Sequence, residues 1–113
     1  NRGARFENLV ASHLLKFCHF KEDTEGEKME LRFLRDKEKR EIDFVVIQNK
    51  KPLFAVECKT GDKGMSPHLK YFAERTPIPL FFQVHQGTSD FEVPDTRARS
   101  MPFTTFVREV LKV

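Results

Sequence analysis

Three apolar runs constrain this chain more than any other feature: Phe44-Val45-Val46-Ile47, Leu53-Phe54-Ala55-Val56 and Leu80-Phe81-Phe82. A strand with one wet face alternates apolar and polar residues. A continuous run has no wet face and needs cover on both sides. These runs therefore predict central strands of a sheet with helices packed above and below it.

The rest of the chain supplies the cover. Phe6, Leu9, Val10, His13, Leu14 and Phe17 recur at helical spacing and predict an amphipathic helix over residues 4–19. Residues 20–28 are polar and acidic, include Gly26, and read as a loop. Met29 to Arg35 predicts a strand with Leu31 and Phe33 on one face. The run Asp36-Lys37-Glu38-Lys39-Arg40 is a charged hairpin tip, followed by a second strand from Glu41 to Ile47. A turn over 49–52 leads to a third strand over 53–59. Ser66 as N-cap and Pro67 at the first helical position open a helix over 67–75, which Thr76-Pro77-Ile78-Pro79 breaks. Residues 80–85 form a fourth strand. Residues 86–100 read mostly as loop, with a short edge strand near Phe91. A terminal helix follows over 102–111, with Phe103, Phe106, Val107 and Val110 inward.

An antiparallel meander followed by a strand-helix-strand unit makes the sheet mixed. The expected fold is thus a three-layer α/β/α domain of order αβββαβ plus a C-terminal helix. With 113 residues the chain makes one domain, large enough for a core without staples. Twelve phenylalanines against one tyrosine and no tryptophan place phenylalanine at the centre of that core.

Charge and cysteine content narrow the function classes. The net charge of +3 is compatible with a polyanion partner without identifying one. Cys18 and Cys58 form no disulfide framework, and with four scattered histidines they show no zinc-binding spacing. Reduced thiols in a cytoplasmic protein are expected. No apolar run reaches the length of a membrane span, so no membrane partner is expected.

Two acids and a lysine break the apolar pattern. Glu57 and Lys59 stand two positions apart at the end of the third strand, so they share a face. Asp43 opens the second strand, fourteen positions before Glu57. If the two strands pair antiparallel around the Asn49–Lys51 turn, Asp43 lies beside Glu57 and Lys59 at one sheet edge. Burying carboxylates costs several kcal/mol unless they are paired or bind a cation. An ion pair with Lys59 would offset that cost, and so would a divalent metal. Magnesium is commonly held by one or two carboxylates together with waters and substrate phosphate oxygens. Two acids and a lysine at a strand edge make a minimal apparatus for phosphodiester hydrolysis. The Glu-x-Lys triplet alone says little, since roughly one is expected by chance in a chain of this composition. Its weight comes from Asp43 and from the apolar strand before it.

This pattern resembles the PD-(D/E)XK nuclease superfamily, which has the restriction-endonuclease-like fold. The match lies in Asp43 of "REIDFVV" and in Glu57 and Lys59 of "FAVECK". The motif's proline is absent, since Ile42 precedes Asp43. Glu7 in "GARFENLV" resembles the first-helix glutamate that some members use as an additional metal ligand. A closer resemblance covers nearly the whole chain. "GARFENLVASHLLK", "LRFLRDKEKREIDFVV", "AVECKTG" and "MPFTTFV" look like the nuclease-like domain of unknown function at the C-terminus of prokaryotic AAA-type ATPases. The resemblance implies Mg2+ or Mn2+ on Asp43, Glu57 and Glu7, with Lys59 completing the catalytic set. It also implies an ATPase part before Asn1, which agrees with a chain that begins Asn-Arg-Gly without an initiator Met.

Arg35, Arg40, Lys63, Lys70 and Arg75 are candidates for a phosphate-binding surface. Gln83 is either a residue reaching the site edge or a satisfied strand amide. Cys58 alternates away from Glu57 and reads as a core thiol, while His85 has no evident partner. Two readings stay open: a metal-dependent nuclease acting on nucleic acid, and an inactive nuclease-fold module for interaction or nucleic-acid recognition that serves the ATPase. Self-association is left open in both.

Overall fold

A computed structural model describes residues 2–113. The elements are α1 (Arg2–Glu25), β1 (Met29–Arg35), β2 (Glu41–Gln48), β3 (Lys51–Cys58), α2 (Pro67–Arg75), β4 (Phe81–His85), β5 (Phe91–Val93), β6 (Ala98–Pro102) and α3 (Phe103–Phe106), which continues as a π-helical turn over Val107–Leu111. One six-stranded sheet runs in the order β1-β2-β3-β4-β6-β5. β1, β2 and β3 form an antiparallel meander, β3-β4 and β4-β6 pair in parallel, and β5 pairs antiparallel to β6. This is the expected mixed sheet with helices on both faces.

The continuous apolar runs occupy the centre for the stated reason. On one face Val46, Phe54, Val56, Phe82 and Val84 pack with residues of α1 and α3. On the other, Val45, Ala55 and Phe81 pack with Leu69, Phe72 and Ala73 of α2. Phenylalanine does fill the core. Phe54 meets Phe82 and Phe106 edge-on at ring separations of 5.6 and 6.0 Å, contacts worth about 0.5–1.5 kcal/mol each beyond area burial. Among the described residues no helix is long and apolar enough to cross a membrane.

Several boundaries differ from expectation. α1 does not stop at residue 19 but runs six residues further. The segment after Phe20 is polar but helix-compatible, and Lys21 and Glu25 form an i,i+4 ion pair at 3.3 Å. The stop is Gly26, whose φ of +67° suits glycine and whose N–H closes on the Glu22 carbonyl at 3.2 Å. β3 begins at Lys51, because Asn49 and Lys50 both take positive φ and turn the hairpin in two residues. Lys59 falls just beyond the end of β3.

Part of the expected loop over 86–100 is strand. β6 lies parallel to β4 with Ala98, Ser100 and Met101 buried. Its sequence, Ala-Arg-Ser-Met-Pro, lacks the β-branched and aromatic residues that mark a strand. In the terminal helix Phe103, Phe106 and Leu111 are buried, while Val107 and Val110 are half-buried. The π turn shifts the inward face from the expected 3.6-residue spacing. Phe33 shares its side with Leu31 but does not point into the core, being 69% exposed on an edge strand.

Candidate metal site

The hairpin places the acids. β2 and β3 pair through Phe44–Val56, so Asp43 and Glu57 stand opposite each other one step beyond that pair. A bulge adjoins them: between Arg32–Val45 and Leu34–Ile42, the single residue Phe33 of β1 faces both Asp43 and Phe44 of β2. Such bulges re-aim side chains next to functional sites. Here the bulge falls on the strand residue that interrupts the apolar run.

The two acids engage each other's strand reciprocally. Cys58 N–H donates to Asp43 Oδ2 at 2.8 Å, and Asp43 N–H donates to Glu57 Oε1 at 3.3 Å. Glu57 is only 6% exposed. Its carboxyl is pushed up to about 8, first by burial, then by a hydrogen bond to the Asp43 side chain and by the Asp43 charge. The charge of Lys59 pulls the other way. Yet Lys59 makes no direct ion pair with either acid among the described residues. Its backbone N–H anchors it instead, donating to the Val84 carbonyl at 2.9 Å.

Glu7 sits on α1 within the field of Asp43. Its carboxyl is raised by burial first, then by the charges of Asp43 and Glu41. Cys58 packs against the core on the α1 side, as expected of a core thiol. Burial, followed by the charges of Asp43, Glu7 and Glu57, pushes the thiol up and keeps it protonated. The region is therefore acid-rich and undercompensated. Among the described residues, however, no three His, Cys, Asp or Glu side chains gather into a metal-binding group. Asp43 and Glu57 are brought together, while Glu7 is coupled by charge to Asp43 alone of the two.

The donor chemistry fits a hard divalent ion. Two carboxylates are enough protein ligands for Mg2+, which keeps waters and recruits phosphate oxygens. A buried acid whose ionised form lacks a cationic contact gains from such a charge.

Three of the basic candidates are already engaged, two of them on one ring. Arg35 pairs with Glu41 at 2.8 Å and lies over the Phe33 ring. Arg40 pairs with Asp36 and Glu38 and stacks on Tyr71 at 3.8 Å. Arg75 takes the same ring at 3.9 Å. Lys63 and Lys70 are exposed. Gln83 proves to be a satisfied buried amide: it stands in register with Glu57, and its side-chain bonds go to Gly64, Ser66 and Ser100. His85 finds partners in Gly87 and Ser89. Asp62, which bonds the backbone of Thr88 and Ser89, was missed by sequence reasoning. The signal available was an Asp in the polar Thr-Gly-Asp-Lys-Gly loop, where such side chains capture backbone N–H groups.

The chain belongs to the family described as a domain of unknown function (DUF4143), whose model matches residues 2–106. No curated protein and no solved structure matches it.

Proposed function

We propose that this DUF4143 domain is a metal-dependent phosphodiesterase of the PD-(D/E)XK type, acting on nucleic acid as the C-terminal part of an AAA-type ATPase. One observation carries the reading: the buried Glu57 and the half-buried Asp43 face each other, and among the described residues neither has a direct cationic partner although a lysine stands two positions from Glu57. A pair kept only for stability would be neutralised by that lysine. A pair kept for a metal needs to be left open.

Asp43 and Glu57 would hold Mg2+ or Mn2+, with Glu7 adding negative charge from α1. The bound ion would supply Lewis acidity and a water of lowered pKa. Lys59, held at the strand end by its backbone, presents an ammonium that orients the attacking water or a non-bridging phosphate oxygen. Hydrolysis joins the water oxygen to phosphorus and breaks one P–O ester bond. The water's proton passes to solvent and the leaving oxygen takes one back.

The test is titration of Mn2+ into wild type, Glu57→Ala and Lys59→Ala, followed by cleavage of mixed DNA and RNA substrates. A thermal shift is expected in wild type and absent in Glu57→Ala. Lys59→Ala should keep the shift and lose cleavage. A wild type with neither shift nor cleavage sinks the reading.

A second reading, an inactive nuclease-fold module for interaction or nucleic-acid recognition, is favoured by the reciprocal bonds that Asp43 and Glu57 make to the facing strands. They close the open end of a hairpin without any metal. Cleavage by wild type decides against it.

A further inference from the structure

Gln83 and His85 on β4 have no role in the proposed chemistry, yet both side chains are wholly buried. They are two residues apart in a strand and so share a face. Gln83 Oε1 accepts from Ser66 N–H at 2.9 Å, and its Nε2 donates to the Gly64 carbonyl at 3.1 Å and to Ser100 Oγ at 3.3 Å. It therefore holds the far end of the segment that runs from Lys59 to Ser66. His85 Nδ1 accepts from Gly87 N–H at 3.0 Å, and Nε2 lies 2.9 Å from the Ser89 carbonyl. It holds the segment that leaves β4.

Asp62 joins the two segments. Its Oδ1 accepts from Thr88 N–H at 2.8 Å and Ser89 N–H at 2.7 Å. The bonds from Ser89, backbone first, hold its carboxyl below the usual carboxylate range. Gly87 faces that carboxylate so closely that a Cβ there would overlap it. Asp62, His85 and Ser89 are the residue types of a hydrolytic triad, but their bonds exclude that role. His85 Nδ1 is occupied by Gly87 N–H, and Nε2 must carry the proton that it donates to a carbonyl. The ring cannot then accept a proton from Ser89 Oγ.

We infer that Asp62 and Gln83 are positioning residues for Lys59: they clasp the 59–66 segment at its middle and its end. The segment is thereby a fixed wall beside the acid pair rather than a closing flap. Its start is already pinned, since Lys59 N–H bonds to β4. This inference rests on the phosphodiesterase reading for its catalytic consequence, but the clasp has a readout of its own. Lys63 lies inside the clasped segment and offers trypsin a cleavage point.

The experiment uses the full protein with Asp62→Ala, Asp62→Asn, Gly87→Ala and the Asp62→Ala/Gly87→Ala double variant. Trypsin cleavage after Lys63, the Mn2+ thermal shift, and kcat and KM on mixed DNA and RNA substrates are measured for each. Asp62→Ala and Gly87→Ala should each speed trypsin cleavage about tenfold. The double variant should be no faster than either, because both changes break one contact. Asp62→Asn should restore protection, since its side-chain oxygen still accepts both N–H groups. The Mn2+ shift should stay at the wild-type value, and kcat should fall with little change in KM. Unchanged trypsin rates in both single variants, or additive effects in the double, overturn the clasp. Faster trypsin cleavage with unchanged kcat overturns the positioning role. A wild type without a Mn2+ shift removes the metal reading while the trypsin result still decides the clasp.

Discussion

Glu57 and Gln83 are register partners on adjacent strands, both buried, and they meet opposite fates. Gln83 is neutral and fully employed, with Ser66, Gly64 and Ser100 as partners. Glu57 accepts a backbone N–H from Asp43, but its other close neighbour is the Asp43 carboxyl, so ionisation adds like charge where there is little water. A buried polar group with complementary neutral partners is architecture. A buried acid facing another acid is held towards its protonated form.

The largest effect that tests this contrast is a pH dependence. The Glu57 carboxyl rises from an ordinary value of 4.5 to about 8 on folding. The folded state therefore binds the proton more tightly than the unfolded chain does. The stability contributed by that proton is full below pH 4.5, declines between pH 4.5 and 8, and is gone above pH 8. Glu57→Gln mimics the protonated form. It should be more stable than wild type above pH 8, by on the order of 4 kcal/mol, and match it near pH 4. Denaturant melts across that range check this, and parallel curves would break the comparison.

A divalent ion should substitute for the proton. At pH 8.5 saturating Mn2+, at about 100 times its Kd, is expected to stabilise wild type by about 2.7 kcal/mol and to leave Asp43→Ala unmoved in the same melts. Gln83→Leu should cost about 2 kcal/mol by leaving Ser66 N–H and the Gly64 carbonyl unpaired. Its loss should not vary between pH 5 and 9, since no charge is removed; a sloping profile would place Gln83 inside the acid site. Smallest of all, Phe33→Thr on the exposed edge should change stability by less than about 0.5 kcal/mol, read in urea.

The layered fold and the Asp43–Glu57 pairing were legible in the chain because they follow from local pattern. Unbroken apolar runs require cover on both faces, and a hairpin joined by a short turn brings its two ends together. β6 was not legible, because Ala98 to Pro102 becomes a strand only by lying parallel to β4 and burying Ser100 under Gln83. The extra turns of α1 were obscured by polar residues that suit a loop and a helix equally. Gly26 was visible as a breaker, but not whether the helix would reach it.

By itself the sequence determined which ionisable residues interrupt the buried strands and which strand ends they occupy, since side-chain alternation and antiparallel pairing leave little choice. Only the tertiary structure decided their electrostatic state. The distance from Lys59 to the acids, the bulge opposite Phe33 and the clasp by Asp62 and Gln83 all depend on contacts between segments far apart in the chain. The energy of a buried charge is set by what surrounds it in space, and neighbours in sequence supply only part of that surrounding.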